Sequence, residues 1–510
     1  MQWKLSDDNK VLILLSATEL EIDQLKLTFE KESPNAKWDP RVKKGYWTGK
    51  INYFKANKYL PAGLWYEVVE MAKEYNFELK ISGIENKFDF DIDKEEFLNW
   101  VNEKWANSSM KPRDYQIESA FNIIKYKCSL SEIATSAGKT LIIYMILAYL
   151  LEQGKSKKIL VIVPSVDLVI QSSEDFYQYN VDSVKFPIDI QQIFAGSVIR
   201  AKSNIVVGTF QSLVKKDKSY YDDFDMVVVD ESHRISSNSI KRVLEKCTNA
   251  DRIFGLTGTI PKKGTLDRLT LCAYTGPIIT SIRADFLMEQ GYITKCEVIA
   301  IEMNYVENEI RSSFANLFAR SSEDRKKLLS LEQNFAINSE IRLEFITDMI
   351  LKNHKNALVL FHRIDYGTKL YNMLRQKSNR KVLYIDGGID KDRRSLYKEN
   401  LEDEEEVIMV ASFGTFSTGL NVRNIHVIYL TESFKSEVVI RQSIGRGLRK
   451  HIAKTKLLII DFIDDFTTSK FKNYLYKHGK ARQEIYEEQN FPYSVKNVDL
   501  LKIYKIKENQ

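Results

Sequence analysis

The chain has 510 residues, 44% hydrophobic and 28% charged, with a formal net charge of +6. That length is too great for one hydrophobic core, so about three domains are expected. The modest charge excludes a histone-like polycation but suits an enzyme with a local basic groove. Cys128, Cys247, Cys272 and Cys296 form no CxxC pair, which excludes a disulfide framework and points to reduced thiols.

The first residues, Met1 to Asp8, carry acid early and show no cleavage site, so they do not read as a signal peptide. The longest apolar run, Leu141 to Leu151, is far short of the roughly 20 residues that a membrane span needs. A soluble, cytoplasmic protein without a membrane partner is expected.

Residues 1–105 read as a separate small α+β module. Val11 to Leu15 has the character of a strand, and Thr18 to Lys31 places Leu20, Ile22, Leu25, Leu27 and Phe29 at helical spacing. The segment 37–58 is basic, with Asp39 its only acid, and Trp38, Tyr46, Trp47, Tyr53 and Phe54 are interleaved. Arg41, Lys43, Lys44 and Lys50 are expected to contact nucleic-acid phosphates, whereas Trp47 and Phe54 suit the module's own core better than base stacking.

From 106 to 285, short Val- and Ile-rich runs recur between helical stretches: 159–163, 205–207, 226–229 and 253–256. Bounded by polar residues or glycine, they read as parallel strands buried on both faces. Residues 286–345 read as a charged, helical connector. The strand pattern restarts at 357–361, 381–385, 407–410, 427–430 and 457–460, defining a second α/β domain over 346–470. A helical extension is expected over 471–510. The fold class is therefore α/β, with two tandem parallel-sheet domains behind a small α+β module.

Thr135-Ser136-Ala137-Gly138-Lys139-Thr140 precedes the apolar helix from Leu141. A Gly-Lys-Thr at a loop-to-helix junction directs backbone N–H groups and the helix dipole at phosphate oxygens. Lys139 is placed to reach the β- and γ-phosphates of ATP, and the Thr140 hydroxyl to bind Mg²⁺. Asp230 and Glu231 follow the strand 226–229 directly. Two carboxylates at the end of a buried strand are costly unless solvated or serving a cation. Asp230 is expected to hold Mg²⁺, and Glu231 to act as general base on the attacking water.

With these motifs and those that follow them, the chain resembles the superfamily 2 helicases over about 110–465. Lys111 to Gln116 resembles the segment whose glutamine, here Gln116, reads adenine. Pro164 and Ser165, with Gly208, Thr209 and Gln211, resemble the first domain's nucleic-acid backbone contacts. Leu256-Thr257-Gly258-Thr259 resembles the motif coupling hydrolysis to movement, in which Thr257 and Thr259 would act with His233. Leu360-Phe361-His362-Arg363 and Ser417-Thr418-Gly419-Leu420-Asn421 resemble the fourth and fifth motifs, Gly419 and Asn421 lying on the nucleotide side. Gln442-Ser443-Ile444-Gly445-Arg446-Gly447-Leu448-Arg449 resembles the sixth. Arg446 and Arg449, expected on one face of a helix, would point across a domain cleft at the γ-phosphate, with Gln442 ordering that phosphate or the water. Three positions depart from the common pattern. Ser136 and Ile133 stand where glycine is usual, and Asn421 stands where many members have aspartate.

Closer similarity, at Pro40-Arg41 and Gly45 to Lys50 outside the shared core and at Ala134 to Lys139, Ala411 to Gly419, Arg446 to His451 and Asp461 to Asp465, lies toward phage recombination and repair helicases. This implies ATP and Mg²⁺ as cofactors, a monomer moving 3′→5′ in a bacterial host's cytoplasm, and branched DNA, single-stranded DNA and RNA–DNA hybrid as partners. Its work would be unwinding and branch migration in recombination, replication and repair. An RNA helicase on the same core, a restriction motor and a non-catalytic ATP-binding clamp stay open as alternatives. No zinc site is expected, because the remaining histidines have no partner at ligand spacing.

Overall fold

The computed structural model describes residues 1–34, 36–181, 186–195, 203–319, 322–389, 391–419, 422–434 and 436–508. They divide into two units, Met1–Ile282 and Arg283–Gln510.

In the first unit, strands β1 (Gln2–Leu5), β2 (Val11–Ser16), β3 (Glu30–Glu32), β4 (Lys50–Asn52), β5 (Tyr59–Pro61) and β6 (Lys80–Ser82) belong to the N-terminal module. Four of them form a sheet in the order β5-β2-β1-β6, while β3 and β4 pair separately. The helix Glu19–Phe29 starts on a capping box, in which the Thr18 N–H donates to Glu21 and the Glu21 N–H donates back to Thr18 Oγ1.

The module does not close its own core. Trp3, Phe54, Leu60 and Val68 pack in one buried cluster with Leu130, Leu269, Leu271 and Cys272 of the following domain. Residues 1–105 are thus built onto the next sheet rather than separate from it, because a small mixed sheet with short helices leaves apolar area that needs a second layer.

That next sheet is parallel, with β7 (Cys128–Ile133), β8 (Ile159–Val163), β9 (Ile190–Ile193), β10 (Ile205–Thr209), β11 (Met226–Asp230), β12 (Arg252–Thr257) and β13 (Ile278–Ile282). The order is β13-β7-β12-β11-β8-β10-β9. Every residue from Met226 to Val229 is buried, as expected of a strand covered on both faces. The helix Lys139–Glu152 is apolar on all sides, and Leu141 to Leu150 are buried accordingly.

The second unit holds another seven-stranded parallel sheet: β14 (Lys295–Asn304), β15 (Ala357–Phe361), β16 (Val382–Ile385), β17 (Ile408–Ser412), β18 (Val427–Leu430), β19 (Lys456–Asp464) and β20 (Tyr493–Asp499). Its order is β16-β17-β15-β18-β19-β14-β20. Two stretches differ from expectation here. Residues 286–345, read as a connector, contribute β14 to the sheet and bury Phe314, Leu328, Ile337 and Leu343 in the core. The tail 471–510 is not wholly helical, since β20 pairs with β14 along seven residues. Among the described residues, no helix is long and apolar enough to cross a membrane.

One buried acid in this unit gives a testable pH dependence. Glu332, fully buried, accepts the N–H groups of Tyr474 (2.7 Å) and Leu475 (3.1 Å) at the start of the helix Tyr474–Glu488. Burial outweighs those donors and pushes its carboxyl up from 4.5 to about 7. A raised folded-state value means a contribution present below about pH 4.5 and lost as pH rises through about 7. Glu332→Gln keeps an acceptor for both N–H groups and cannot ionise. Relative to the wild type, its thermal stability is expected to match near pH 4.5 and to be higher at pH 8 by on the order of 3 kcal/mol. A stability difference that stays constant across this range refutes the assignment.

Candidate functional site

The candidate site lies at the C-terminal ends of β7, β12 and β11, three neighbours in the first sheet, where parallel α/β folds collect ligands. Ile133 is the buried last residue of β7, so the strand core rather than the loop claims that position. The loop 134–138 follows. Ser136 (φ 73°) and Gly138 (φ 80°) both adopt left-handed backbone, which turns the loop back on itself before the helix Lys139–Glu152. Glycine is the relaxed choice at such an angle, and a serine there carries ~1–2 kcal/mol of strain. At Gly138 a Cβ would come within 2.2 Å of Gln116 Nε2, so a larger residue would have to push that amide off the loop.

Gln116 is occupied differently from expectation. Its Oε1 accepts the Arg113 N–H (2.9 Å) and its Nε2 donates to the Ala137 carbonyl (2.8 Å). The Tyr115 hydroxyl donates to the same carbonyl at 2.8 Å. Both side chains therefore hold the loop 134–138, a contact that sequence reasoning missed for Tyr115, although its place beside Gln116 was a usable signal.

Lys139 sits between the two carboxylates, its Nζ 2.7 Å from Asp230 Oδ1 and 2.5 Å from Glu231 Oε1. Burial alone would push the ammonium down, but Asp230 and Glu231 outweigh it and raise it. For Glu231, burial is overcome by Lys139 and His233, and the carboxyl falls well below the usual range. For Asp230, burial prevails over Lys139 and the carboxyl rises. Three charges gathered in so little water are expensive to bury, which marks a site built for a ligand rather than for stability. Glu231 also has a left-handed backbone (φ 53°), uncommon for a residue with a Cβ and frequent at functional sites.

Glu231 leads into the 3-10 turn Ser232–Ser236, which carries His233. His233 Nδ1 lies 2.9 Å from Thr257 Oγ1 and 3.2 Å from Glu231 Oε2. The Thr257 hydroxyl donates to the Thr259 carbonyl (3.1 Å) and accepts the Thr259 N–H (3.2 Å), which leaves His233 to donate from Nδ1. Thr257 is the last residue of β12, and Gly258 beside it approaches Thr135 of the phosphate loop. His233, Thr257 and Thr259 thus join the acidic pair to the neighbouring strand end.

Farther along the same sheet edge, Val163 of β8 pairs with Thr209 of β10, so the segments beginning at Pro164 and Phe210 leave adjacent strands. Ser165 caps the helix Val166–Tyr179, Thr209 hydrogen-bonds Ser212 at 3.2 Å, and Gln211 is exposed. Pro164 is buried. Gly208 is buried inside β10, where a Cβ would lie 3.1 Å from Leu213 and 3.2 Å from Ile193, and close packing accounts for it.

On the N-terminal module, Arg41 pairs with Asp39 (2.8 Å) and stacks on Trp47 (4.9 Å), and Lys50 pairs with Glu30 (2.8 Å). Lys43 and Lys44 have no carboxylate partner among the described residues. Phe54 is core, whereas Trp47 is braced at the surface by Arg41 and by its Nε1 donating to the Lys50 carbonyl.

In the second unit, Gln442 and Arg446 stand four residues apart on the helix Glu437–Gly447 and share a face. Arg449 does not lie on that helix. Gly447, where a Cβ would meet Ile428 at 2.7 Å, is its last residue, and Arg449 follows in a further turn whose N–H donates to the Arg446 carbonyl. The Thr294 N–H caps the Leu448 carbonyl at 2.8 Å. Gly419 closes the helix Phe413–Gly419, and Asn421 lies outside the described residues. Glu432, buried after β18, accepts the His362 (2.5 Å) and Arg363 (3.0 Å) N–H groups and so fixes the fourth motif's backbone. A carboxylate two residues past an apolar strand was the signal for it.

Two seven-stranded parallel sheets in one chain, the first carrying a Gly-Lys-Thr loop against an Asp-Glu strand end, define a superfamily 2 helicase core. Residues 109–262 match the family described as type III restriction enzyme, res subunit, and residues 341–451 match the helicase conserved C-terminal domain. Residues 11–82 match the family described as DNA helicase UvsW, N-terminal. The ATP-dependent DNA helicase uvsW of Enterobacteria phage T4 is 28% identical over 508 residues, 96% of this chain and 98% of that one. The DNA 3′-5′ translocase XPB2 of Sulfurisphaera tokodaii is 23% identical over 68% of this chain and 81% of that one. The ATP-dependent type ISP restriction-modification enzyme LlaBIII bound to DNA shares the fold, with a TM-score of 0.56 at 15% identity over 84% of this chain and 34% of that one. The chain belongs to the UvsW-like superfamily 2 helicases.

Proposed function

We propose that the chain is an ATP-driven helicase and translocase that unwinds and branch-migrates branched DNA: forks, displacement loops, R-loops and four-way junctions. It serves recombination, replication and repair in the cytoplasm of a phage host, as a monomer moving 3′→5′. The observation that carries this reading is Lys139 held between Asp230 and Glu231 at the mouth of a phosphate loop. Incoming ATP offers the ammonium its β- and γ-phosphates instead, and Lys139 leaves the carboxylates free for their own tasks.

The donors suit a magnesium ion. Asp230 and the Thr140 hydroxyl supply hard oxygen, and the carboxylate pair already gathers a cation. When bound, Mg²⁺ neutralises phosphate charge. Glu231, already ionised in the nucleotide-free site and released when Lys139 turns to the phosphates, accepts the proton of the attacking water. Gln442, Arg446 and Arg449 bring order and positive charge to the γ-phosphate. Gln116 keeps one lone pair and one N–H in reserve, sufficient to meet an adenine edge while it holds the loop. His233, Thr257 and Thr259 carry the change at the phosphates to Ser165 and Gln211, which grip the DNA backbone, while the buried Pro164 and Thr209 position those segments from behind.

Lys43 and Lys44, without acid partners among the described residues, are the strongest phosphate contacts of the N-terminal patch, and Arg41 and Lys50 are weaker because Asp39 and Glu30 share their charge. Lys43→Ala with Lys44→Ala is expected to weaken DNA binding and to reduce the salt slope of log K by about 2. Equal affinity and slope in a filter-binding series over several salt concentrations would remove the patch from the interface. Phosphate release measured with branched DNA, single-stranded DNA and RNA tests the wider reading. Strongest stimulation by branched DNA is expected; stimulation by RNA alone would favour an RNA helicase, and no turnover with any of them a clamp.

A further inference from the structure

The helix Leu266–Thr275 touches both the acidic turn of the ATP site and the N-terminal module. On one flank, Asp267 Oδ1 accepts the Ser236 hydroxyl at 2.7 Å. Ser236 ends the 3-10 turn that begins after Glu231 and carries His233. Gly255 of β12 lets the other ends of the two elements approach the strand, since a Cβ there would meet Thr275 of the helix at 2.8 Å and Ser232 of the turn at 3.2 Å.

The other flank meets the N-terminal module at backbone distance. A Cβ on Gly63 would lie 2.2 Å from the Cys272 carbonyl oxygen and 2.8 Å from that of Ala273, so no other residue seats there without moving the helix. The Tyr53 hydroxyl is 2.8 Å from Thr270 Oγ1, Arg268 Nε is 3.6 Å from Glu67, and Leu269, Leu271 and Cys272 share the module's apolar core. None of these contacts is needed to hold phosphate or to hydrolyse ATP. They make the N-terminal module and the Glu231–His233 turn two attachments of one rigid rod, and packed interfaces of this kind shift in discrete steps rather than deform continuously.

We propose that the Leu266–Thr275 helix transmits DNA occupancy of the N-terminal module to His233 and Glu231, with Gly63 and Ser236 as its two positioning contacts. The inference rests on the proposed reading of the chain as a DNA-stimulated ATPase with DNA on that module. A coupling of this kind is reciprocal: whatever factor DNA confers on ATP binding, ATP confers on DNA binding.

Ser236→Ala, Ser236→Thr and Gly63→Ala separate transmission from folding. Ser236→Ala is expected to keep its melting temperature, basal ATPase and nucleotide-free DNA affinity, while DNA stimulation falls by ~5-fold or more. The tightening of DNA binding by a non-hydrolysable ATP analogue should shrink by a similar factor. Ser236→Thr, which retains the hydroxyl, should restore both. Gly63→Ala should lose stimulation at the other end of the helix, and the double variant should be no worse than the more affected single one. Should Gly63→Ala not fold, Tyr53→Phe, which removes only the hydroxyl facing Thr270, replaces it. Full stimulation in Ser236→Ala and in the module-side variant, with the wild type stimulated, overturns the proposal, as do additive losses. A wild type not stimulated by any DNA would instead sink the helicase reading, and this inference falls with it.

Discussion

Lys139→Ala is expected to lower kcat for ATP hydrolysis by at least ~10²–10³, the scale on which a single charge-stabilising donor is worth when it faces a transition state. The same change leaves Asp230 and Glu231 buried side by side without their shared cation. Removing one side of a buried ion pair destabilises a fold by ~3–5 kcal/mol. Asp230, whose carboxyl is already raised by burial, will relieve part of this by taking up a proton. The variant should therefore melt earlier, and its phosphate release should be measured well below that transition. Nucleotide-free DNA binding should stay close to wild type, since the lysine faces carboxylates rather than the basic patch. Turnover within tenfold of wild type in a folded variant would contradict the assignment of the phosphate site.

Arg446→Ala and Arg449→Ala are each expected to reduce kcat by roughly 10³–10⁵, the range for a guanidinium that meets charge developing on a transferred phosphoryl group. An interaction made mainly in the transition state leaves KM for ATP nearly unchanged. The two positions differ in support, because Arg446 is anchored on the last turn of a helix and Arg449 follows the helix end. Lysine at either position keeps the charge but loses the planar fork, so a substantial defect should persist. Steady-state kinetics with saturating DNA decide the matter. A large rise in KM with kcat intact would mean that these side chains bind ground-state nucleotide and do not act as fingers.

The meeting of Lys139 with Asp230 and Glu231 was legible in the sequence because its signals are local. A Gly-Lys-Thr opening an apolar helix and an Asp-Glu closing an apolar strand each declare their geometry within a few residues. The partners of Gln116 were not legible. Its contact with Ala137 depends on how the helix Asp114–Ile124 lies against the loop, which no local pattern states. The same holds for the N-terminal module, whose dependence on Leu269, Leu271 and Cys272 joins segments far apart in the chain.

Two misreadings had visible warnings. Cys296 to Ile301 in β14 has strand character, but the charged stretch after it led to a connector. Gly445 and Gly447 around Arg446 weaken a helix, and they foretold that Arg449 would fall outside it. The edge strand β20 gave less notice, since Tyr493 to Asp499 is half polar and half-exposed, as edge strands often are.

The decisive measurement is strand separation on a panel of synthetic forks, R-loops and four-way junctions, followed with and without ATP. Unwinding of the branched substrates that requires ATP, and that disappears in Lys139→Ala, is the predicted result. Hydrolysis with no strand separation on any of them, or separation that proceeds equally well without nucleotide, would contradict a DNA-unwinding motor.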